Sequence, residues 1–329
     1  MATLAKIPAE HDRAVQHSIE YLRSEDAMRS LDTNAYWPKW NSPWWHMTLL
    51  NEMGLAKRIP ERAVRKMTEQ LKVSRLKIFP IHPGDLPPGI DVYLESHCHC
   101  ALGNIYQALA AAGLNVDEEM PWIREWFLRY QLPDGGLNCD NDAYLKDPPP
   151  SSMVGTISPL EAVLYYTPRD FTSDEIHFLD HGAQCLMERQ LMRATTNPHN
   201  IEEREDEKDW LKLCFPRFYF YDVLRGLIFI LRWANKREQT LSRNAISTVT
   251  KHFEKSFPDG DVRIGRHSFE GTGTRILGSD GKWLRQQQAT HFPILDQVSR
   301  IGDVSPYLTG QWQEAKALMN SLSQQGLLK

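Results

Sequence analysis

An all-α fold built from paired helices follows from three features of this sequence. Apolar residues recur with the period of a helix through most of the 329 residues, and no run alternates apolar with polar β-branched residues as a strand would. Two kinds of helical segment take turns, one amphipathic with a charged face and one apolar nearly all round, the pattern of outer and inner layers in a two-layer helical assembly. Aspartate-glycine turns punctuate the alternation: Asp134-Gly135-Gly136 after one amphipathic segment, with weaker echoes at Asp259-Gly260 and Asp280-Gly281. In such a turn the carboxylate accepts from backbone amides two residues on, and glycine takes positive φ without a Cβ clash.

The elements follow in order within a single domain, 1–329, whose first 40 residues form an N-terminal extension holding the amphipathic segment His11 to Arg23. Pro43 to Met53 is the first apolar helix, joined through Gly54 to the amphipathic Pro60 to Ser74. A proline-rich stretch, Phe79 to Ser96, leads to the apolar Cys98 to Ala112, which Gly113 terminates before the amphipathic Asp117 to Gln131. The loop Pro133 to Gly155, with Pro148-Pro149-Pro150, precedes the apolar Thr156 to Tyr166 and the amphipathic Thr172 to Leu191. Leu191 to Pro216 is long and irregular, and its acidic run Glu202 to Asp209 reads as a solvated helical turn rather than half a metal site. Apolar Phe218 to Ala234 and amphipathic Thr240 to Ser256 come next. Irregular Asp259 to Gln288, apolar Ala289 to Ile301 and amphipathic Gln311 to Gln324 complete the chain. Short connections make hairpins, and in a closed ring of hairpins the long ones gather beside the amino ends of the inner helices, where a site is expected.

Composition narrows the classes of function. An apolar share of 41% is enough for a well-buried core, and 38 basic and 42 acidic side chains spread along the length leave no basic stripe for nucleic acid. No apolar run approaches the ~20 residues of a membrane span. Met1 to Arg13 is polar, without the apolar stretch and small-residue cleavage site of a secretory signal, so a soluble cytoplasmic protein is the expectation. Five cysteines, an odd and small number, suit free thiols better than a disulfide framework. Ten tryptophans, clustered at Trp37, Trp40, Trp44 and Trp45 and again at Trp122 and Trp126, supply either pocket walls or the filling of a large helical core.

The Gln131-Leu-Pro-Asp134-Gly-Gly turn, set among alternating inner and outer helices, resembles the terpenoid cyclase and protein prenyltransferase superfamily, whose repeats carry a Gln, an Asp-Gly turn and an aromatic residue. Over about residues 40 to 325 the resemblance implies an α/α toroid with a central cavity open at one end. It also implies a hydrophobic, isoprenoid-type substrate, cyclised by protonation or carbocation chemistry or transferred to a cysteine. The chain departs from the pattern at several places. Leu137 stands where the repeat has an aromatic residue, and the later Asp-Gly turns lack the Gln. Asp140-Asn141-Asp142-Ala143 is one carboxylate short of the Asp-x-Asp-Asp acid motif, no Asp-Asp-x-x-Asp motif occurs, and the Asp-x-Cys then distant His order of the zinc pattern is not reproduced. Cofactor and metal are therefore left unassigned.

Residues at or just before the inner-helix amino ends, together with the loop after Gly136, form the candidate site. Asp140, Asp142, His99 and Asp222 are the catalytic candidates. Trp44, Trp45, His46, His97, Cys139, Tyr144, Ser152, Arg217, Tyr219, Tyr221 and His291 are the candidates for substrate binding. A carboxylate lowered into an aromatic pocket loses hydration, so its pKa rises and it becomes a proton donor near neutrality; two held close split into an acid and a base. Asp140 and Asp142 also have a structural reading, as loop caps paired with Arg217 or Arg225. His97-Cys98-His99-Cys100 combines zinc-ligand types, but helix neighbours one or two apart point in different directions, so at most two of the four can share a face with Cys139 or His291. Asp222 and Arg225, three apart, can pair on one helical face, leaving Arg217 freer for a phosphate or carboxylate. Three functions fit these residues: a terpenoid-cyclase-like or prenyltransferase-like enzyme acting on a hydrophobic small molecule by acid-base chemistry, a polysaccharide lyase or glycoside hydrolase with tryptophan platforms along an open groove, and a non-catalytic toroid holding a lipid or peptide.

Overall fold

The computed structural model describes residues 9–95, 97–269 and 273–329. Its helices, in chain order, are α1 (Ala9–Arg23), α2 (Glu25–Thr33), α3 (Pro43–Glu52), α4 (Glu61–Lys72), α5 (Val92–Glu95), α6 (His99–Ala112), α7 (Val116–Glu119), α8 (Pro121–Arg129), α9 (Met153–Tyr166), α10 (Ser173–Glu188), α11 (Ile201–Asp206), α12 (Val223–Arg237), α13 (Arg243–Ser256), α14 (Pro293–Val298) and α15 (Pro306–Gln324). A two-stranded antiparallel sheet, β1 (Thr274–Leu277) with β2 (Trp283–Gln286), stands between α13 and α14. No described helix is long and apolar enough to cross a membrane.

Local chemistry sets most helix ends. Ser24, Ser152, Asp222 and Ser305 each accept a backbone N–H of the first turn, and Thr172 with Glu175 forms a capping box at the start of α10. Gly113, at φ 118°, ends α6 in the left-handed region. The apolar helices are interior: α6 is buried from His99 to Leu109, and α9 and α12 are buried along most of their length. α3, α6, α9 and α12 pack each against the next, α15 lies on α12, and α1 packs on α14. α6 comes close to α9: a Cβ on Gly103 would fall 2.5 Å from the backbone of Ser158 and Pro159. Amphipathic α10 and α13 cover this layer from outside, α10 against both α9 and α12.

Some expectations change. Asp280-Gly281 turns a β-hairpin, with Leu277 opposite Trp283, rather than joining two helices. The apolar segment Ala289 to Ile301 contracts to Pro293–Val298, and the one starting at Phe218 begins at Val223 because Asp222 caps it. The acidic run is helical as expected over Ile201–Asp206, yet Glu203 is buried rather than solvated, accepting the Met153 and Thr195 amides and pairing with Arg189.

Backbone conformation supplies a contrast. Gly135, at φ 86°, has the His181 carbonyl where a Cβ would stand, whereas Gly281, at φ 77°, has open space. Gly135→Ala is expected to cost more than about 3 kcal/mol and Gly281→Ala about 1 kcal/mol, read as shifts in urea midpoint at unchanged slope.

Candidate functional site

The loop after Gly136 is held by its own polar groups. Gln131 Nε2 donates to the Gly135 and Phe178 carbonyls at 2.8 and 2.9 Å. Asp134 accepts the Gly136 amide at 3.1 Å and the Ser151 hydroxyl at 2.5 Å, and pairs with Arg189 at 3.2 Å. The Leu137 amide donates to Thr156 Oγ1 and the Ser152 amide donates to the Leu137 carbonyl, tying the loop to the start of α9. On the other side His99, buried in α6, accepts the Trp126 indole N–H at Nε2 (3.0 Å) and therefore donates from Nδ1 to the Asn138 carbonyl at 2.7 Å. Tyr144 accepts the Asn138 amide at 3.2 Å and donates to the Tyr130 carbonyl at 3.1 Å.

This bracing carries Cys139 to the amino end of α6. The Sγ atoms of Cys98, Cys100 and Cys139 lie within 4.8 Å of one another, with Cys98 and Cys100 at 3.1 Å. Cys98 is the extended N-cap residue (φ −71°, ψ 164°), so its side chain escapes the helical direction and meets that of Cys100 two residues on. Two of the four residues His97 to Cys100 thus face Cys139, the number that helix geometry allows. Bonds from the Cys100 and Cys139 thiols hold Cys98 well below the ordinary thiol range, while the same shared bonds and burial push Cys100 up.

Beside the thiols lies a cavity of about 230 Å³ bordered by Tyr36, Trp37, Phe79, Val92, Tyr93, Leu94, His97, Cys98, Ala101, Cys139 and Asn141. Its rim is fastened: Asn34 Nδ2 donates to the Leu94 carbonyl and Trp37 Nε1 to the Tyr93 carbonyl, both at 2.9 Å. Arg275 of β1 pairs with Asp91 at 3.2 Å and stands 5.0 Å from the Tyr93 ring centre. Lys39 donates to Tyr219 Oη at 3.0 Å; burial lowers the lysine's pKa, and burial ahead of the neighbouring thiols raises that of Tyr219.

A second, polar cavity of about 160 Å³ lies farther along the inner helices and is bordered by Glu52, Asn104, Gln107, Glu161, Arg217 and Arg225 among others. Ala101 and Asn104, about one turn apart on α6, border the first and second cavities respectively. Each arginine here has a carboxylate: Arg217 with Asp222 at 2.6 Å, Arg225 with Glu161 at 2.6 Å, Arg232 with Glu314 at 2.7 Å. Glu52 accepts the Arg217 and Phe218 amides at 2.8 and 2.5 Å, yet desolvation outweighs these bonds and the nearby guanidinium groups, raising its pKa to about 7.

Several sequence-derived roles are corrected. Asp140 and Asp142 are exposed; Asp140 caps the turn by accepting the Asp142 amide and borders a surface groove, so neither carboxylate has the desolvation that proton donation required. His99 spends both ring nitrogens on fixed bonds and burial lowers its pKa to about 4, which leaves no nitrogen for acid-base work or a metal. Asp222 is buried as the cap of α12; it takes Arg225's amide, while its ion pair is with Arg217 and Arg225's guanidinium goes to Glu161. Arg217 is accordingly paired rather than free, although its Nη2 has no partner among the described residues. Trp45 donates to the Tyr36 carbonyl, His46 is buried 3.7 Å from the Phe292 ring, Tyr221 donates to the Leu191 carbonyl, and Tyr144 braces the loop, and none of the four borders the aromatic cavity beside the thiols. Trp44 is fully buried 5.7 Å from the His97 ring, Ser152 caps α9, and His291 pairs with Asp296 at 3.3 Å. His97, Cys139 and Tyr219 do meet at the cavity end or beside it. Glu52, Glu161, Lys39, Tyr36 and Phe79 were missed, and for the two glutamates the available signal was an acid on an otherwise apolar helix.

Compared with known proteins, the chain matches no family model, no curated protein and no solved structure.

Glu52 makes stability depend on pH. Below its ordinary value of 4.5 the side chain is protonated folded and unfolded; as pH rises from there to about 7 the unfolded chain releases the proton and the folded one keeps it, so stability falls across that window. Relative to Glu52→Gln, the wild type is expected to lose on the order of 1–3 kcal/mol between these limits, measured by urea unfolding at stepped pH.

Proposed function

We propose that this chain is an enzyme of the terpenoid-cyclase-like toroid class that holds a hydrophobic small molecule, of isoprenoid type, in the aromatic cavity at the amino end of α6. The observation that carries the reading is that cavity: aromatic walls from Tyr36, Trp37, Phe79 and Tyr93, closed at one end by the thiols of Cys98 and Cys139. It stands at the small end of ligand pockets, with apolar walls and a few convergent polar groups. The sequential packing of α3, α6, α9 and α12, and the contact of α1 with α14 near the other end of the chain, support closure of the hairpins into a ring.

In this reading the reactive end is sulfur rather than the exposed Asp140 and Asp142. A thiolate is a strong nucleophile, and Cys98 is the thiol whose charge its neighbours favour. Glu52, whose pKa burial raises to about 7, stands in the polar cavity farther along the inner helices as the acid of this reading.

Thermal shift and turnover against a panel of farnesol, geraniol, farnesyl diphosphate and a fatty acid test the proposal. At least one probe is expected to raise Tm by several degrees at a hundred times its Kd, the effect of about 2.7 kcal/mol of linkage. Val92→Trp, which fills the cavity, should abolish that shift, and Asp142→Ala should leave it intact. A shift that survives Val92→Trp places the ligand elsewhere and ends the proposal; a shift without product supports a binding protein in place of an enzyme.

A further inference from the structure

We infer that Cys98, Cys100 and Cys139 hold a single soft metal ion, zinc(II) or copper(I), with one coordination position open toward the aromatic cavity. Three of the five cysteines converge on one point, whereas Cys185 and Cys214 are buried outside this cluster. Sulfur ligands about 2.3 Å from a zinc ion stand about 3.8–4.0 Å from one another in tetrahedral or trigonal geometry, and sulfurs within 4.8 Å reach that arrangement by small side-chain rotations. An all-sulfur donor set selects zinc or copper(I) over magnesium and calcium, which take oxygen.

The triangle is built before any ion enters. Cys98 and Cys100 are fixed by the first turn of α6, and Cys139 by its neighbour Asn138, which bonds to His99, to the Pro150 carbonyl at 2.7 Å and to the Asp140 amide at 2.9 Å. The Cys100 amide donates to Cys139 Sγ at 3.4 Å, the kind of N–H···S contact that orients a thiolate ligand from outside the coordination sphere. Half-buried Lys39, close enough to the thiols for their charge to act on it, offsets the net negative charge that three thiolates leave on zinc. Disulfide chemistry fits less well, since three thiols leave one unpaired and Cys98 and Cys100 are separated by a single residue. Cys98 and Cys139 both border the cavity, so the remaining position faces an occupant there.

Metal binding is read without any organic ligand, so its failure and that of the hydrophobic-ligand reading are distinguishable. The full chain, purified under reductant, is assayed for zinc and copper, then stripped with a chelator and titrated with cobalt(II) chloride. Stoichiometric metal and an intense near-ultraviolet sulfur-to-cobalt charge-transfer band are expected. Cys98→Ser, Cys100→Ser and Cys139→Ser should each weaken cobalt binding about tenfold or more with the helical circular dichroism retained, while Cys185→Ser and Cys214→Ser bind as the wild type. A reduced, folded wild type that shows no such band overturns the inference, as does binding that is unchanged in Cys139→Ser.

Discussion

The arrangement depends on one buried imidazole that is fully committed. His99 accepts a hydrogen bond from the Trp126 indole N–H and donates one to the Asn138 carbonyl, so a single side chain in the first turn of α6 fastens α8 on one side and the loop after Gly136 on the other. An unpaired buried donor or carbonyl costs about 1–3 kcal/mol, and these bonds satisfy three such groups together. Because the ring must stay neutral to accept from the indole, burial and function act in the same direction: the low pKa keeps the strut intact at ordinary pH.

The two cavities along the inner helices differ in character. The first has aromatic walls and sulfur at one end. The second is polar, and its arginines are paired with carboxylates, an arrangement that offsets the desolvation of each charge by a close partner. Glu52 stands apart within it, bonded to two amides but in no ion pair among the described residues, so burial outweighs the attraction of Arg225 and Arg217 and raises its pKa to about 7. The loop aspartates show the opposite case: adjacent in sequence to Cys139, they turn outward into water, where a carboxylate keeps its hydration.

Wrong sequence readings have identifiable causes. Of the two readings open to Asp140, the structure has the loop cap: its carboxylate accepts the Asp142 amide in an exposed turn, and Asp142 is exposed beside it. Asp222 and Arg225 do lie on one helical turn, yet the cap takes Asp222's oxygen for a backbone amide and leaves the guanidinium to Glu161, 64 residues away, a partner no local spacing can indicate. The hairpin of β1 and β2 has no sequence signature because Thr274–Leu277 and Trp283–Gln286 are only four residues each, too short for alternation to register against a helical background.

What the sequence by itself determined is therefore local: the helix periods, the serine, threonine and aspartate caps, and the Asp134-Gly135-Gly136 turn, whose chemistry resides within a few consecutive residues. The tertiary structure decided what those elements bring together. Cys139 meets Cys98 and Cys100 across about 40 residues because Cys98 leaves the helix direction at its cap and His99 pulls the loop inward. Burial also sorted the acids, giving Glu52 a raised pKa and leaving Asp140 and Asp142 in solvent, since desolvation depends on every neighbour in space and on none of the neighbours in sequence.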